Sequence, residues 1–178
     1  TSAPAIYAIP SCMRATPGLD DVVMTRFPEL APPYTMFMAA TSLPVMLDRT
    51  ERILRQMKQF DRAELKKLFR ANDKITEENF QRYQNMDLRK GLTPAVLSYN
   101  GLAFNNMAPQ VFTDGQWEYV KKNLKILSGF YGILNATDGV VPYRLEMQTR
   151  VGIDVAKDLY DFWGDSLYRR IADEVRED

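Results

Sequence analysis

The sequence predicts a mixed α/β (α+β) fold with more helix than strand, organised as one compact domain over residues 45–178 and preceded by an extended arm over residues 1–44. Three observations predict it. From Val45 onward, apolar residues recur at spacings of three and four, the repeat that places them on one helical face. Between the helical stretches lie a few short runs rich in β-branched and aromatic residues, the composition of strands. Seven of the ten prolines fall before residue 45, where they break any regular element.

In chain order, residues 5–9 are the one stretch of the arm that reads as a strand. Met46, Thr50, Ile53, Leu54, Met57 and Phe60 then predict an amphipathic helix. Asp61 followed by Glu64 has the spacing of a capping box, and Leu65, Leu68 and Phe69 continue it as a second short helix. Ile75, Phe80 and Tyr83 predict a third helix ending near Gln84. Residues 95–99 read as a buried strand, and Asn100-Gly101 as a tight turn into Leu102-Ala103-Phe104. Thr113 and Gln116 form a second capping-box pair, opening a helix with Trp117, Val120, Leu124 and Leu127 on one face and its end at Gly129. A strand is expected at residues 143–147, entered through Pro142 and alternating polar with apolar. A last helix is expected over residues 157–175, carrying Trp163, Leu167, Ile171 and Val175, with Gly164 as its weak point.

Composition narrows the chemistry more than it narrows the fold. The 178 residues carry 23 basic and 23 acidic side chains, so no global field draws the chain to nucleic acid or anionic lipid, and any such site must be local. There is no histidine, which removes Ser-His-Asp and Cys-His mechanisms and the commonest metal-binding imidazole. The single cysteine, Cys12, rules out an intramolecular disulfide and Cys-rich zinc sites. No apolar run is long enough to span a bilayer, and phosphate loops of the Walker or dinucleotide type are absent. No cofactor and no metal are expected. The first residue is Thr1, which fits either removal of a targeting peptide or a boundary of another kind.

Charge is nevertheless unevenly placed. Residues 49–90 hold twelve basic and seven acidic residues, and residues 154–178 hold four basic and eight acidic ones, opposite patches that suit a partner. Asp154, Asp158, Asp161 and Asp165 recur at four, three and four, the spacing of one helix face, and read as a solvated stripe in preference to a cation site. Arg144 and Glu146 flank Leu145 and so share a strand face, where they either orient a ligand or pair with neighbours.

Several blocks together resemble the YaaA family of peroxide-stress proteins. They are Asn72-Asp73-Lys74-Ile75 with Asn79-Phe80-Gln81-Arg82-Tyr83, then Pro94-Ala95-Val96-Leu97-Ser98-Tyr99-Asn100-Gly101. Residues 124–134 (LKILSGFYGIL), 141–147 (VPYRLEM) and 158–165 (DLYDFWGD) follow in the family's order. The resemblance implies a mixed α/β fold, an association with oxidative stress and, in some members, DNA binding through a helix-hairpin-helix-like element. Its counterpart here is Ser128-Gly129-Phe130-Tyr131-Gly132 after the helix from Gln116. Two roles fit this segment. Gly129 and Gly132 would let backbone amides approach a phosphate, with Lys121, Lys122 and Lys125 supplying charge, or the glycines serve only to end a helix and allow close packing.

The chain also departs from the family pattern at polar positions. Ile9-Pro10-Ser11-Cys12-Met13-Arg14 lacks the expected lysine, Asn100-Gly101-Leu102-Ala103-Phe104 lacks two charges, and Leu134-Asn135-Ala136-Thr137-Asp138 keeps only Asp138. The family's basic C-terminal segment has no counterpart before Asp178. Kept core and lost charges predict a degenerate, shortened member: a non-catalytic accessory subunit of a larger protein assembly, with Asp138, Arg144 and Glu146 as a remnant ligand site. Its partners would be other protein subunits and its compartment intracellular, with the matrix side of a mitochondrion as one candidate. The alternative is a DNA-binding peroxide-stress protein, for which nucleic acid would be the partner.

Overall fold

The computed structural model describes residues 6–8, 39–99 and 102–177. The expected arm, with Cys12 and the 9–14 segment, falls largely outside the described residues, as does the Asn100-Gly101 turn.

The first helix, α1 (Leu47–Met57), buries Leu47, Thr50, Ile53, Leu54 and Met57, the face that the three-and-four spacing picks out. α2 (Arg62–Phe69) opens with a complete capping box: the Asp61 carboxylate accepts from the Glu64 amide at 2.8 Å, and the Asp61 amide donates back to the Glu64 carboxylate at 2.9 Å. It closes at Arg70 in the left-handed region, φ 48° and ψ 40°. α3 (Asp73–Asn85) is capped by Asn72 and packs on α2, with Phe69 and Tyr83 stacked at 6.4 Å between ring centroids.

Two elements differ from expectation in the next stretch. Residues 95–98 are helix α4 (Ala95–Ser98), not strand, after the two-residue strand β2 (Thr93–Pro94). A short fully buried apolar run carries no period that separates strand from helix, and here hydrogen bonding decides. The Ala95 and Val96 amides donate to the carbonyls of Asp138 and Ala136, both at 2.9 Å, which satisfies donors that a helix start leaves open. α5 (Leu102–Met107) and a 3-10 turn (Pro109–Val111) lead to α6 (Asp114–Asn123), whose Thr113–Gln116 capping box is present.

α6 stops at Asn123, four residues short of Leu127, and the chain continues as strand β3 (Leu124–Ser128). Leu124 and Leu127 fit a helical face, but Leu124, Ile126 and Ser128 also alternate as buried positions of a strand. Pairing settles the competition: β3 lies parallel to β1 (Ile6–Ala8) and antiparallel to β4 (Gly132–Asn135), with Ser128 opposite Gly132. The segment compared with a helix-hairpin-helix is therefore a β-hairpin with a three-residue loop. A second small sheet joins β2 to β5 (Gly139–Val140).

Residues 143–146 run without a ladder and Met147 opens a turn, yet burial alternates from 143 to 147; the alternation records contact with the core and not strand pairing. The last helical region is two helices, α7 (Leu159–Trp163) and α8 (Ser166–Glu177), because Gly164 takes φ 47° and ψ −136°, a conformation side chains exclude. Between α3 and the sheet sits an aromatic core: Phe130 stacks on Tyr143 at 4.8 Å and meets Tyr131 edge-on at 4.9 Å and Tyr83 at 6.2 Å.

Candidate functional site

The hairpin residues singled out by sequence spend their polar groups internally. Ser128 Oγ accepts from the Phe130 and Tyr131 amides at 3.1 and 2.9 Å, so the donors that would meet a phosphate are already engaged. The Gly129 carbonyl accepts from Trp163 Nε1 at 2.9 Å. A Cβ on Gly129 would lie 2.9 Å from the Met147 amide nitrogen. One on Gly132, where φ is +76°, would lie 2.8 Å from Met46 Sδ and 2.9 Å from the Trp163 ring. Both glycines thus answer to close packing. Lys125 is tied to Asn135 Oδ1 and to Glu174, each at 2.6 Å, and Lys121 pairs with Glu118 at 2.8 Å. Lys121 and Lys122 are exposed at the end of α6.

Asp138 is completely buried and serves the turn it belongs to. Its carboxylate accepts from Ser42 Oγ at 2.6 Å, from the Asn135 amide at 2.8 Å and from Asn135 Nδ2 at 3.3 Å. Burial pushes its pKa above the usual carboxylate value, and these donors work in the opposite direction. Asp138 does not share a site with Arg144 and Glu146; it anchors residue 42 and the start of α4.

Arg144 and Glu146 do come together, on the wall of a cleft of about 870 Å3 between α2 and residues 144–152. Their shared direction follows from the extended backbone, whose alternate residues Tyr143, Leu145 and Met147 are buried in the core. The Arg144 carbonyl is pinned by the Tyr83 hydroxyl, which donates to it at 2.6 Å, and the Arg144 guanidinium lies 6.0 Å from the Phe69 ring centroid. Burial holds the Tyr83 phenol far above its ordinary pKa, so it remains a donor.

Sequence reasoning placed Lys67 and Arg70 within a basic helical run suited to an anionic partner but did not join them to Arg144. Lys67 and Arg70 from the end of α2, with Arg150 from the extended segment, complete a set of four cations around the cleft, set against Glu64 and Glu146. Phe60, Leu68 and Phe69 give it an apolar side. The signal was present in part as the basic excess of residues 49–90, but nothing in the sequence shows which of those twelve cations would face Arg144. Arg70 stands out, because its left-handed backbone favours glycine and costs an arginine about 1–2 kcal/mol.

The acidic stripe does not form. Asp154 lies in the loop before α7 at φ 54° and pairs with Arg52, Asp158 caps α7, Asp161 accepts from the Lys157 amide, and Asp165 pairs with Arg169. The expected single face is broken by the loop before α7 and by Gly164. Among the described residues, no group of three or more acidic, cysteine or histidine residues is placed to hold a metal ion.

Comparison with known proteins places these features in a family. The family model for peroxide stress protein YaaA matches residues 29–178. Relatives include UPF0246 proteins of Agathobacter rectalis, 54% identical over 134 residues, Desulfitobacterium hafniense, 46% over 138, and Lactiplantibacillus plantarum, 48% over 132. These alignments cover 75%, 78% and 74% of this chain and 54%, 55% and 53% of the respective relatives. The chain spans about half the length of the curated relatives it matches. With a family model over most of its residues and bacterial relatives at this level of identity, the chain belongs to the YaaA (UPF0246) family of peroxide-stress proteins.

Proposed function

We propose that the chain is a non-catalytic binding module acting in the peroxide-stress response for which its family is named, and that it holds an anionic partner in the Arg144–Glu146 cleft. The observation that carries this reading is the gathering of Lys67, Arg70, Arg144 and Arg150 around one concavity on a chain of zero formal charge. Clustered cations in a partly apolar cleft raise the local concentration of anions and strengthen each contact relative to open water. A binding role also suits the buried polar groups. Asp138, Tyr83, Tyr131 and Tyr143 each have their oxygen engaged in a structural hydrogen bond.

An accessory-subunit role in a larger assembly is one form of this reading, with an acidic surface of a protein subunit as the anion. Exposed apolar side chains elsewhere, Val111, Tyr119, Tyr160 and Tyr168, are supports for such contacts. No described helix is long and apolar enough to cross a membrane. The relatives are bacterial and lend nothing to a mitochondrial location.

Nucleic acid is the second reading, favoured by the same cations and by Lys121 and Lys122, which stand exposed at the end of α6. Survival of hydrogen peroxide by cells carrying altered copies of the gene tests both. Lys67→Ala with Arg150→Ala is expected to sensitise cells as deletion does, and Lys121→Ala with Lys122→Ala to leave them unaffected. The reverse pattern would move the contact to α6 and discard the cleft. In vitro, affinity for a labelled single-stranded oligonucleotide that falls steeply with salt supports the nucleic-acid reading, and salt-independent or absent binding removes it.

A further inference from the structure

Three features of the cleft describe its ligand more closely. Its charge is uneven: among the described residues that line it, Lys67, Arg70, Arg144 and Arg150 outnumber Glu64 and Glu146, a balance that favours an anion such as a phosphate monoester, which carries about −1.5 to −2 near neutral pH. Its walls are of two kinds, since Phe60, half-buried, and Leu68 present apolar surface beside the charged groups, and Phe69 extends that surface beneath Arg144. At about 870 Å3 the space falls within the roughly 300–1,000 Å3 typical of small-ligand sites.

Arg70 adds an independent observation. Glycine would end α2 at lower cost, yet an arginine holds the left-handed position and lines the cleft. Backbone strain concentrates where a side chain is needed for something other than stability. The cation is also placed against the partial negative charge that a helix C-terminus carries, so Lys67 and Arg70 together turn that end of α2 from one that repels anions into one that attracts them.

Resting on the binding reading of this same cleft, we infer that its ligand is a small organic phosphate monoester with a flat ring body, of the class of nucleoside monophosphates. The phosphoryl group would lie among Lys67, Arg70, Arg144 and Arg150, and the ring on the Phe60–Leu68 side. A free mononucleotide and the phosphorylated end of a strand share this chemistry.

Isothermal titration calorimetry on the purified chain tests the assignment with adenosine monophosphate, adenosine, inorganic phosphate and a 5′-phosphorylated single-stranded oligonucleotide. Adenosine monophosphate is expected to bind at least tenfold more tightly than either adenosine or phosphate, and Lys67→Ala with Arg150→Ala to weaken it at least tenfold. Arg70→Gly, which keeps the backbone conformation, should weaken it several-fold in a chain that remains folded. If the oligonucleotide binds far more tightly than the mononucleotide and depends on its terminal phosphate, the strand end is the source. Equal affinity for phosphate and mononucleotide, or binding untouched by the substitutions, would overturn the inference. Binding of the oligonucleotide irrespective of its phosphate, without the mononucleotide, would overturn it while leaving the binding reading intact, and failure of every anion would remove both.

Discussion

The β3–β4 hairpin and the cleft beside α2 form a contrast in how a chain uses conspicuous residues. The hairpin has glycines, aromatics and a nearby lysine trio, and nearly all of it is directed inward: the amides go to Ser128, the Gly129 carbonyl to Trp163, and Lys125 to Glu174. The cleft draws Arg144 and Glu146 from the 141–147 block but Lys67, Arg70 and Arg150 from outside any distinctive block, and it keeps those three exposed. A distinctive sequence block therefore reports packing that tolerates little change, whereas a binding surface can be assembled from ordinary residues on elements far apart in sequence. The two regions should respond in opposite ways to substitution.

The largest effect is expected in the hairpin. Gly132→Ala places a Cβ within 2.9 Å of the Trp163 ring at a positive φ, combining backbone strain with overpacking. A loss of about 3 kcal/mol in urea unfolding is expected, and a loss below about 1 kcal/mol would show that the turn is looser than its contacts indicate. Next comes Tyr143→Phe, which removes the hydroxyl joining Tyr99 at 2.8 Å to Ser128 at 2.6 Å in a buried chain. The expected cost is about 1–3 kcal/mol, since two buried partners are left without it. Neither change should alter binding of anions beyond what lost stability explains.

The contrast also accounts for how much was legible beforehand. α1, α2 and α3 were readable because each exposes one face and buries the other, and because the Asp61–Glu64 pair marks the start of α2 chemically. The interior stretches were not. Residues 95–98 are buried throughout, so apolar periodicity loses its contrast, and in 124–128 the apolar positions fit a helix face and a strand face alike; hydrogen bonds to residues farther along the chain choose the conformation. Of the site, Arg144 and Glu146 were legible from their alternation around Leu145, while Asp138 was grouped with them by chemistry alone and lies in a separate turn. Lys67, Arg70 and Arg150 could not be joined to them, since only the packing of α2 against the extended segment brings those walls together.

On the cleft side, Arg70→Gly should move stability the other way. Relief of the left-handed conformation is expected to stabilise the chain by about 1 kcal/mol, less whatever contacts the arginine stem makes, while binding weakens. A simultaneous gain in stability and loss of affinity would establish that the residue is held for function. A loss of stability would make Arg70 a structural residue like those of the hairpin, and the contrast between the two regions would narrow.

The smallest effect sharpens the comparison through pH. Asp138 belongs to the buried, inward-directed half of the molecule, and burial is the main influence that raises its pKa above 3.8. A carboxyl whose folded value is raised binds its proton more tightly in the folded chain. Its contribution is therefore fully present below the unfolded value and is lost as pH rises through the raised folded value. Glu77 lies on the exposed face of α3 and behaves oppositely: its bonds with Arg62 and Gln81 lower its value from 4.5 to about 2, so its contribution is present above 4.5 and lost as pH falls toward 2. Urea midpoints followed from pH 3 to 7 in Asp138→Asn and Glu77→Gln should separate the two. The first substitution removes a component that falls with rising pH, and the second removes one that rises with it. If Asp138→Asn leaves the pH profile unchanged, the donors from Ser42 and Asn135 fully offset burial, and the turn they build holds its carboxylate charged at little cost.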